Sequence, residues 1–482
     1  MKILFVTSEL VPFVKAGGLA DVSGALPKAL NKQGHEVRII LPKYSMIKDK
    51  EFKIEKIPIA FNVPRFDLYA EIEKAIDLSS NIIIYFIKCD HFYDRDDIYG
   101  DYEDNAERAI FFSKSVLELI KYLEWTPDII HCNDWQTAML PALFKNHYNK
   151  DPLYQNIGIL LTIHNLAYQG IFGKEKFTKT GLNLDLFNAN TMELWGKLNF
   201  MKAGVVFADV INTVSEKYAE EIQTPEFGYG LEKILAQRKT DLFGIMNGID
   251  YEIWDPTIDP YIWYKYEANS LDKKQLNKEE LQKESNLPVK DVPLIGIISR
   301  LVDQKGFDLV SEIIDELMQF DLQLILLGTG LPKYHELFTE INETYPVKTA
   351  IFLKFDNILA HKIEAAADFF LMPSYYEPCG LNQLISLRYG TIPIVRYIGG
   401  LADSISAIDT TPDKTGVGFV FYNYNSRELL EIIKNAITFY KNKKVKSIVI
   451  KRAMQKDFSW HRSAQKYEDL YKLALKKNHL NT

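Results

Sequence analysis

The sequence is poor in the features that mark small cross-linked proteins, membrane proteins and nucleic-acid binders. Cysteine occurs three times in 482 residues, at Cys89, Cys132 and Cys379, and no two form a C-x-x-C pair. That spacing suggests neither a disulfide framework nor a zinc site. No apolar run approaches the roughly 20 residues that span a bilayer, and Met1–Thr7 has no signal-peptide pattern. The expected location is the cytoplasm, with no membrane partner. Lys and Arg total 57 against 64 Asp and Glu, a formal net charge of −7, so a nucleic-acid surface is not expected. No G-x-G-x-x-G follows the first strand, no G-x-S-x-G elbow occurs, and no 20–50-residue repeat or low-complexity tract is present. Dinucleotide binding, serine-hydrolase chemistry and solenoid folds lose their usual signals.

What is present is a long globular alternation. Hydrophobic residues make up 47% of the chain, enough for a large core, and the length allows about two to four domains. Apolar, β-branched runs predict strands at Ile3–Thr7, Val37–Leu41, Ile82–Ile87, Asp128–Cys132, Ile159–His164, Val210–Val214 and Phe243–Met246. Helices are predicted between them, at Leu19–Gln33, Asn105–Leu123 and Trp135–His147; Phe172–Asn199 is polar and irregular. The stretch Asp255–Asp291, with two Asp-Pro pairs and a charged run from Asp272 to Glu284, has the composition of a connecting region. After it the alternation restarts, with strands at Leu294–Ser299, Gln323–Leu327, Ala350–Leu353, Phe369–Met372, Ile392–Val395 and Gly418–Phe421, and helices at Ser426–Tyr440, Lys444–Met454 and His461–Lys476. The fold class is α/β, with two Rossmann-like domains. The expected division is 1–250, then linker and second domain over 251–459.

Unusual residues concentrate after strand ends, where open α/β sheets bind ligands. Phe369–Met372 is followed by Ser374-Tyr375-Tyr376-Glu377-Pro378-Cys379-Gly380-Leu381 and then a helix over Asn382–Tyr389 that stops at Gly390. A helix N-terminus suits a phosphate, so Glu377 is either an acid beside a bound phosphate ester or an N-terminal acid that only stabilises its helix. Arg300 and Lys305 begin another helix, where two cations are repelled unless an anion is bound; the plain alternative is a solvated basic loop. Gly17-Gly18-Leu19-Ala20-Asp21 recurs as Gly399-Gly400-Leu401-Ala402-Asp403, each opening a predicted helix. Paired glycines permit close backbone approach. The Gly328-x-Gly330 turn is weak evidence by itself. His164 ends a strand and is either structural, a donor to a sugar hydroxyl, or an acid/base. Asp134 is either a helix cap or a sugar contact, and Trp135 offers a stacking face. Asp94-Arg95-Asp96 is a D-x-D triplet, but in a loop, so a metal is not expected.

In combination these residues closely resemble the bacterial glycogen synthase and plant starch synthase family, from Lys2 to about Tyr471. The carrying motifs are Ser8-Glu9-Leu10, Lys15 to Val22, His131 to Trp135, Ile163-His164-Asn165, Asn247-Gly248-Ile249-Asp250, Ser299-Arg300-Leu301 with Gln304-Lys305-Gly306, Glu377 to Leu381, and Gly399 to Asp403. The resemblance implies a glycosyltransferase-B fold, two domains facing a central cleft, with a C-terminal helix over 460–482 packing on the first domain. It implies metal-independent, retaining transfer of glucose from a nucleotide-glucose, usually ADP-glucose, to the non-reducing 4-hydroxyl of an α-1,4-glucan, with no cofactor. Catalytic roles fall on Glu377, His164, Lys15, Arg300 and Lys305, the three cations holding the diphosphate. Substrate contacts fall on Gly17, Gly18, Asp21, Asn165, Asn247, Gly328, Cys379, Gly380, Leu381, Asn382, Gly399 and Gly400, with Glu9, Tyr93 and Asp134 on the acceptor side. Three positions depart from the family pattern: Asn382 and Ile398 stand where many relatives have threonine, and Phe355 where many have tyrosine. Competing readings are a nucleotide-sugar epimerase of the same architecture and a non-catalytic glucan-binding protein; the latter conflicts with the retained Lys15, Arg300 and Lys305. A nicotinamide dehydrogenase is more distant.

Overall fold

The computed structural model describes residues 1–408 and 415–481. The chain divides into two compact units, Met1–Asn247 with Trp460–Thr482, and Gly248–Ser459. Of the expected terminal helix, Thr482 lies outside the described residues.

The strands of the first unit are β1 (Lys2–Val6), β2 (Glu36–Pro42), β3 (Glu55–Asn62), β4 (Tyr69–Asp77), β5 (Ile82–Lys88), β6 (Ile129–Asn133), β7 (Gly158–Ile163), β8 (Ile171–Phe172), β9 (Glu193–Leu194), β10 (Lys197–Asn199), β11 (Val210–Thr213) and β12 (Leu242–Gly244). Nine form one sheet in the order β12-β11-β7-β6-β1-β2-β5-β4-β3. From β12 to β5 every pairing is parallel; β4 and β3 add an antiparallel edge. The central strands are apolar on both faces, as a sheet covered on both sides requires: β7, Gly158–Ile163, is buried throughout. β3 and β4 escape the sequence reading because the charges at Glu55, Lys56, Glu71, Glu73 and Lys74 break up the apolar signal on a half-exposed edge. The segment expected to be irregular contains β8, β9 and β10, a small antiparallel sheet.

The terminal helix Trp460–Asn481 lies along β7. A Cβ at Gly158 would sit 3.0 Å from the Ala474 carbonyl carbon, so glycine lets the helix pack closely there without displacing its backbone. Buried hydroxyls fix the docking: Tyr471 pairs with His131 Nδ1 at 2.9 Å, and Asn212 Nδ2 donates to the Tyr467 hydroxyl at 3.2 Å.

The second unit holds β13 (Leu294–Ile298), β14 (Gln323–Leu327), β15 (Thr349–Phe352), β16 (Phe369–Met372), β17 (Ile392–Arg396) and β18 (Phe419–Phe421), in the order β15-β14-β13-β16-β17-β18. All are parallel. In each unit the first parallel strand sits beside the fourth, the doubly wound order whose reversal point binds ligands beyond the strand ends. The reversal lies between β1 and β6 in the first unit, and between β13 and β16 in the second.

One expectation is corrected. The charged run read as a linker is a helix, Leu271–Glu284, packed into the second unit. It lacks an apolar stripe because its buried face is largely polar, with most of its polar groups hydrogen-bonded. Lys278 Nζ donates to Asp368 Oδ2 at 2.6 Å, to the Tyr440 hydroxyl at 2.9 Å and to the Val292 carbonyl at 2.5 Å. Lys446 binds the other Asp368 oxygen at 2.9 Å. Burial pushes Asp368 up, but Lys278 and Lys446 outweigh it and hold its carboxyl well below the usual range. Lys274, lowered to about 7 by burial, donates to Thr391 Oγ1 at 2.8 Å.

Candidate active site

At the reversal point of the second unit, the loops after β13 and β16 bring Lys305 and Glu377 together. Lys305 Nζ donates to Glu377 Oε2 at 2.6 Å, and Ser374 Oγ donates to the same oxygen at 3.0 Å. Glu377 is buried, at 6% exposure, so the ion pair is shielded from water and from salt screening. Glu377 is therefore not a lone carboxylate. The loop that carries it is held from both sides. Tyr375 N donates to the Gln304 carbonyl at 2.9 Å, Gln304 Nε2 to the Tyr376 carbonyl at 3.1 Å, and Arg396 to the Tyr375 carbonyl. Gly399 and Gly400 press on the same loop. A Cβ on either would stand 2.0 Å from a carbonyl oxygen, of Glu377 and Cys379 respectively, so the Gly-Gly pair serves the loop's own backbone. Cys379 is buried, Gly380 turns the chain at φ 70°, and Leu381 caps the helix Asn382–Tyr389. Asn382 Nδ2 donates to the Ile298 carbonyl at 2.6 Å, tying that helix start to β13. Arg300 is exposed and makes no ion pair among the described residues. Gly328 has a packing reason: a Cβ there would sit 2.1 Å from the Ser299 carbonyl oxygen.

In the first unit, the loop after β1 folds around Glu9. Glu9 Oε2 accepts from Ala16 N and Gly17 N, each at 2.7 Å, and Oε1 accepts from the Tyr99 hydroxyl at 2.5 Å. Ser8 Oγ lies 2.9 Å from that hydroxyl. Glu9 thus shapes the Lys15–Gly18 loop, with both its oxygens engaged within the unit. Gly17 is the N-cap and Gly18 the first residue of helix Gly18–Lys32. Lys15 Nζ lies 2.7 Å from Asp21 Oδ1, both partly exposed; such a surface pair is worth little and yields readily to a ligand anion. Burial raises Asp21 against the pull of Lys15. Tyr93 is 2% exposed, and its hydroxyl donates to the Arg108 carbonyl at 3.2 Å.

Beyond β6 and β7, Asp134 holds the next loop. It adopts φ 56°, and Oδ1 accepts from His164 N at 2.7 Å and Asn165 N at 3.4 Å. Burial pushes its carboxyl up to about 7, against those two hydrogen bonds. Asn133 Nδ2 donates to the Val6 carbonyl at 3.0 Å, which turns its Oδ1 toward His164 Nε2 at 2.9 Å. His164 therefore carries its proton on Nε2 and keeps Nδ1 as an acceptor. Burial lowers its pKa to about 3, which favours the uncharged ring at neutral pH. Trp135 is half-buried and packs against Phe172 and Phe200, at centroid distances of 5.7 and 6.4 Å. Asn247 is buried, and its Oδ1 has no hydrogen-bond partner among the described residues. Arg95 of the D-x-D triplet forks onto Asp104 at 2.7 and 2.5 Å. Sequence reasoning missed Tyr99, Ser374 and Asn133, which orient Glu9, Glu377 and His164. Only the position of Ser374 and Asn133 beside strand ends could have flagged them.

The family described as starch synthase catalytic domain matches residues 2–237, and the family described as glycosyl transferases group 1 matches residues 278–453. Glycogen synthase of Pseudothermotoga lettingae is 46% identical over 489 residues, covering 99% of both chains. Glycogen synthase of Desulforamulus reducens is 45% identical, covering 98% of this chain and 99% of its own. The catalytic domain of starch synthase IV from Arabidopsis thaliana, bound to ADP and acarbose, superposes with a TM-score of 0.91 at 34% identity, covering 98% of this chain and 99% of that one. Sucrose-phosphate synthase from Thermosynechococcus elongatus shares the fold alone, with a TM-score of 0.61 at 16% identity. The chain belongs to the glycogen synthase and starch synthase family of glycosyltransferases.

Proposed function

We propose that the chain elongates glycogen by transferring glucose from ADP-glucose to the non-reducing 4-hydroxyl of an α-1,4-glucan, with retention of configuration and without a metal. The observation that carries this reading is the buried Lys305–Glu377 pair at the reversal point of the second sheet, beside the N-terminus of helix Asn382–Tyr389. That end offers free N–H groups to a diphosphate, and Arg300 and Lys305 add positive charge. As the bond from glucose C1 to the diphosphate oxygen breaks, negative charge grows on the leaving ADP, and these cations stabilise it. Glu377 is the carboxylate assigned to the sugar, where it orients hydroxyls and offsets positive charge at C1. Attack comes from the same face: the acceptor O4 bonds to C1, and its proton passes to the departing phosphate oxygen. His164, neutral, accepts a hydrogen bond from a glucose hydroxyl at Nδ1. Lys15 is assigned to the diphosphate and exchanges its Asp21 partner for phosphate. The reading places the enzyme in the cytoplasm; among the described residues no helix is long and apolar enough to cross a membrane.

The test is to incubate the protein with ADP-glucose and maltotetraose and resolve the products by size. The expected result is a ladder of single-glucose additions that persists in EDTA. A ladder formed only with UDP-glucose overturns the donor assignment, loss of the ladder in EDTA overturns metal independence, and release of free glucose without extension overturns the transfer itself.

A further inference from the structure

The hairpin between β9 and β10 turns through Trp195 and Gly196, whose φ angles are 55° and 76°. Two successive positive φ values belong to a type I′ turn, where Asn, Asp or Gly is preferred at the first position because a large side chain is strained there. Trp195 gains no burial in compensation: it is 69% exposed. Backbone strain that local packing does not relieve points to function. The turn is nonetheless built to hold the ring still. Glu193 Oε1 accepts from Gly196 N at 2.5 Å, and Lys202 Nζ donates to the Glu193 and Ala189 carbonyls at 2.6 Å each. The indole rests on Gly230, where a Cβ would stand 2.6 Å from Cζ2.

The support beneath the ring runs to the His164 loop. The carbonyl of Tyr229, next to Gly230, accepts from Gln169 Nε2 at 3.2 Å, and Gln169 Oε1 accepts from Asn199 Nδ2 of β10 at 2.5 Å. Gln169 follows Tyr168, itself 55% exposed. A rigid, open aromatic face suits the apolar C–H face of a pyranose, with polar neighbours for its rim of hydroxyls. A protein partner would be expected to use a contiguous apolar patch; in the small sheet Met192, Leu194 and Leu198 are buried and Ile171 is 36% exposed, while Asn190 and Lys197 beside the turn are exposed polar residues.

We propose that Trp195 is a stacking platform for the α-1,4-glucan on the first unit. The choice of occupant rests on the proposed elongation reaction. The test is Trp195→Asn, which suits the turn, together with Trp195→Tyr, which keeps a ring. Melting temperature, glycogen affinity electrophoresis and kinetics against both substrates are measured. Trp195→Asn is expected to melt no lower than wild type, to raise the glycogen KM about tenfold, and to leave the ADP-glucose KM within about twofold. Trp195→Tyr is expected to recover most of the glycogen affinity. An unchanged glycogen KM in Trp195→Asn, alongside a wild type that elongates glycogen, overturns the platform alone. A change in sedimentation coefficient in place of KM makes Trp195 a contact between copies and also overturns it. A wild type that neither binds nor extends glycogen overturns the elongation reading beneath it.

Discussion

Tyr99, 90 residues from Glu9 in sequence, decides the shape of the Lys15–Gly18 loop. Its hydroxyl is the donor to Glu9 Oε1, while the other carboxylate oxygen holds the amides of Ala16 and Gly17. Tyr99→Phe leaves a buried carboxylate oxygen short of a charge-assisted hydrogen bond, which costs about 1.5–3 kcal/mol. The expected outcome is a lower melting temperature and a several-fold higher KM for ADP-glucose with a smaller change in kcat, checked by steady-state kinetics. Asp134 makes a pH prediction. Its ordinary pKa of 3.8 rises to about 7 in the fold. A carboxyl raised on folding contributes stability that is present below about pH 4 and is lost as pH rises through 7. Asp134→Asn has no charge to bury, so its melting temperature relative to wild type should be more favourable at pH 8 than at pH 5; the same difference at both values would contradict the assignment. These pairings show where the sequence stops being informative. Motif position singled out Glu9, Tyr93 and Asp134, but Tyr99, Arg108 and His164, which engage them, belong to other segments, so it could not tell how each side chain is held.

At the scale of elements, the parallel strands were legible because a strand covered on both faces must be apolar throughout. Phe369–Met372 and Asn382–Tyr389 have the bounds their sequence predicts. The helix Leu271–Glu284 was not legible, because its buried face is made of Lys274, Asn277, Lys278 and Gln282 and its only buried leucine is Leu281. A helix docked through amides and ammonium groups has the composition of a linker. It follows that single charges carry its attachment. Lys278→Met removes one of two cations from a buried carboxylate, and is expected to destabilise the protein by about 3 kcal/mol. Urea denaturation measures this, and a loss below about 1 kcal/mol, the range of a surface pair, would show that the contact is solvated.

At the scale of the molecule, both units repeat one plan, with charged loops at the point where strand order reverses. That plan follows from the right-handed crossover of parallel strands, which leaves two neighbouring loops diverging beyond the sheet. In the second unit those loops hold Lys305 and Glu377; in the first they hold Glu9 and Asp134. The alternation made the two-unit α/β plan readable from sequence. Neither the antiparallel edge nor the pairing of Lys305 with Glu377 was readable, since both depend on contacts between segments far apart in the chain. The central claim is that Glu377, held by Lys305, serves glucose transfer from ADP-glucose to a glucan. The most direct measurement compares glycogen extension by wild type and Glu377→Gln, each given ADP-glucose or UDP-glucose, with ADP affinity measured alongside. The account predicts extension from ADP-glucose that falls by about 10²-fold or more in the variant, while ADP still binds. Extension that survives Glu377→Gln, or a wild type that binds ADP and extends nothing from either donor, would contradict it.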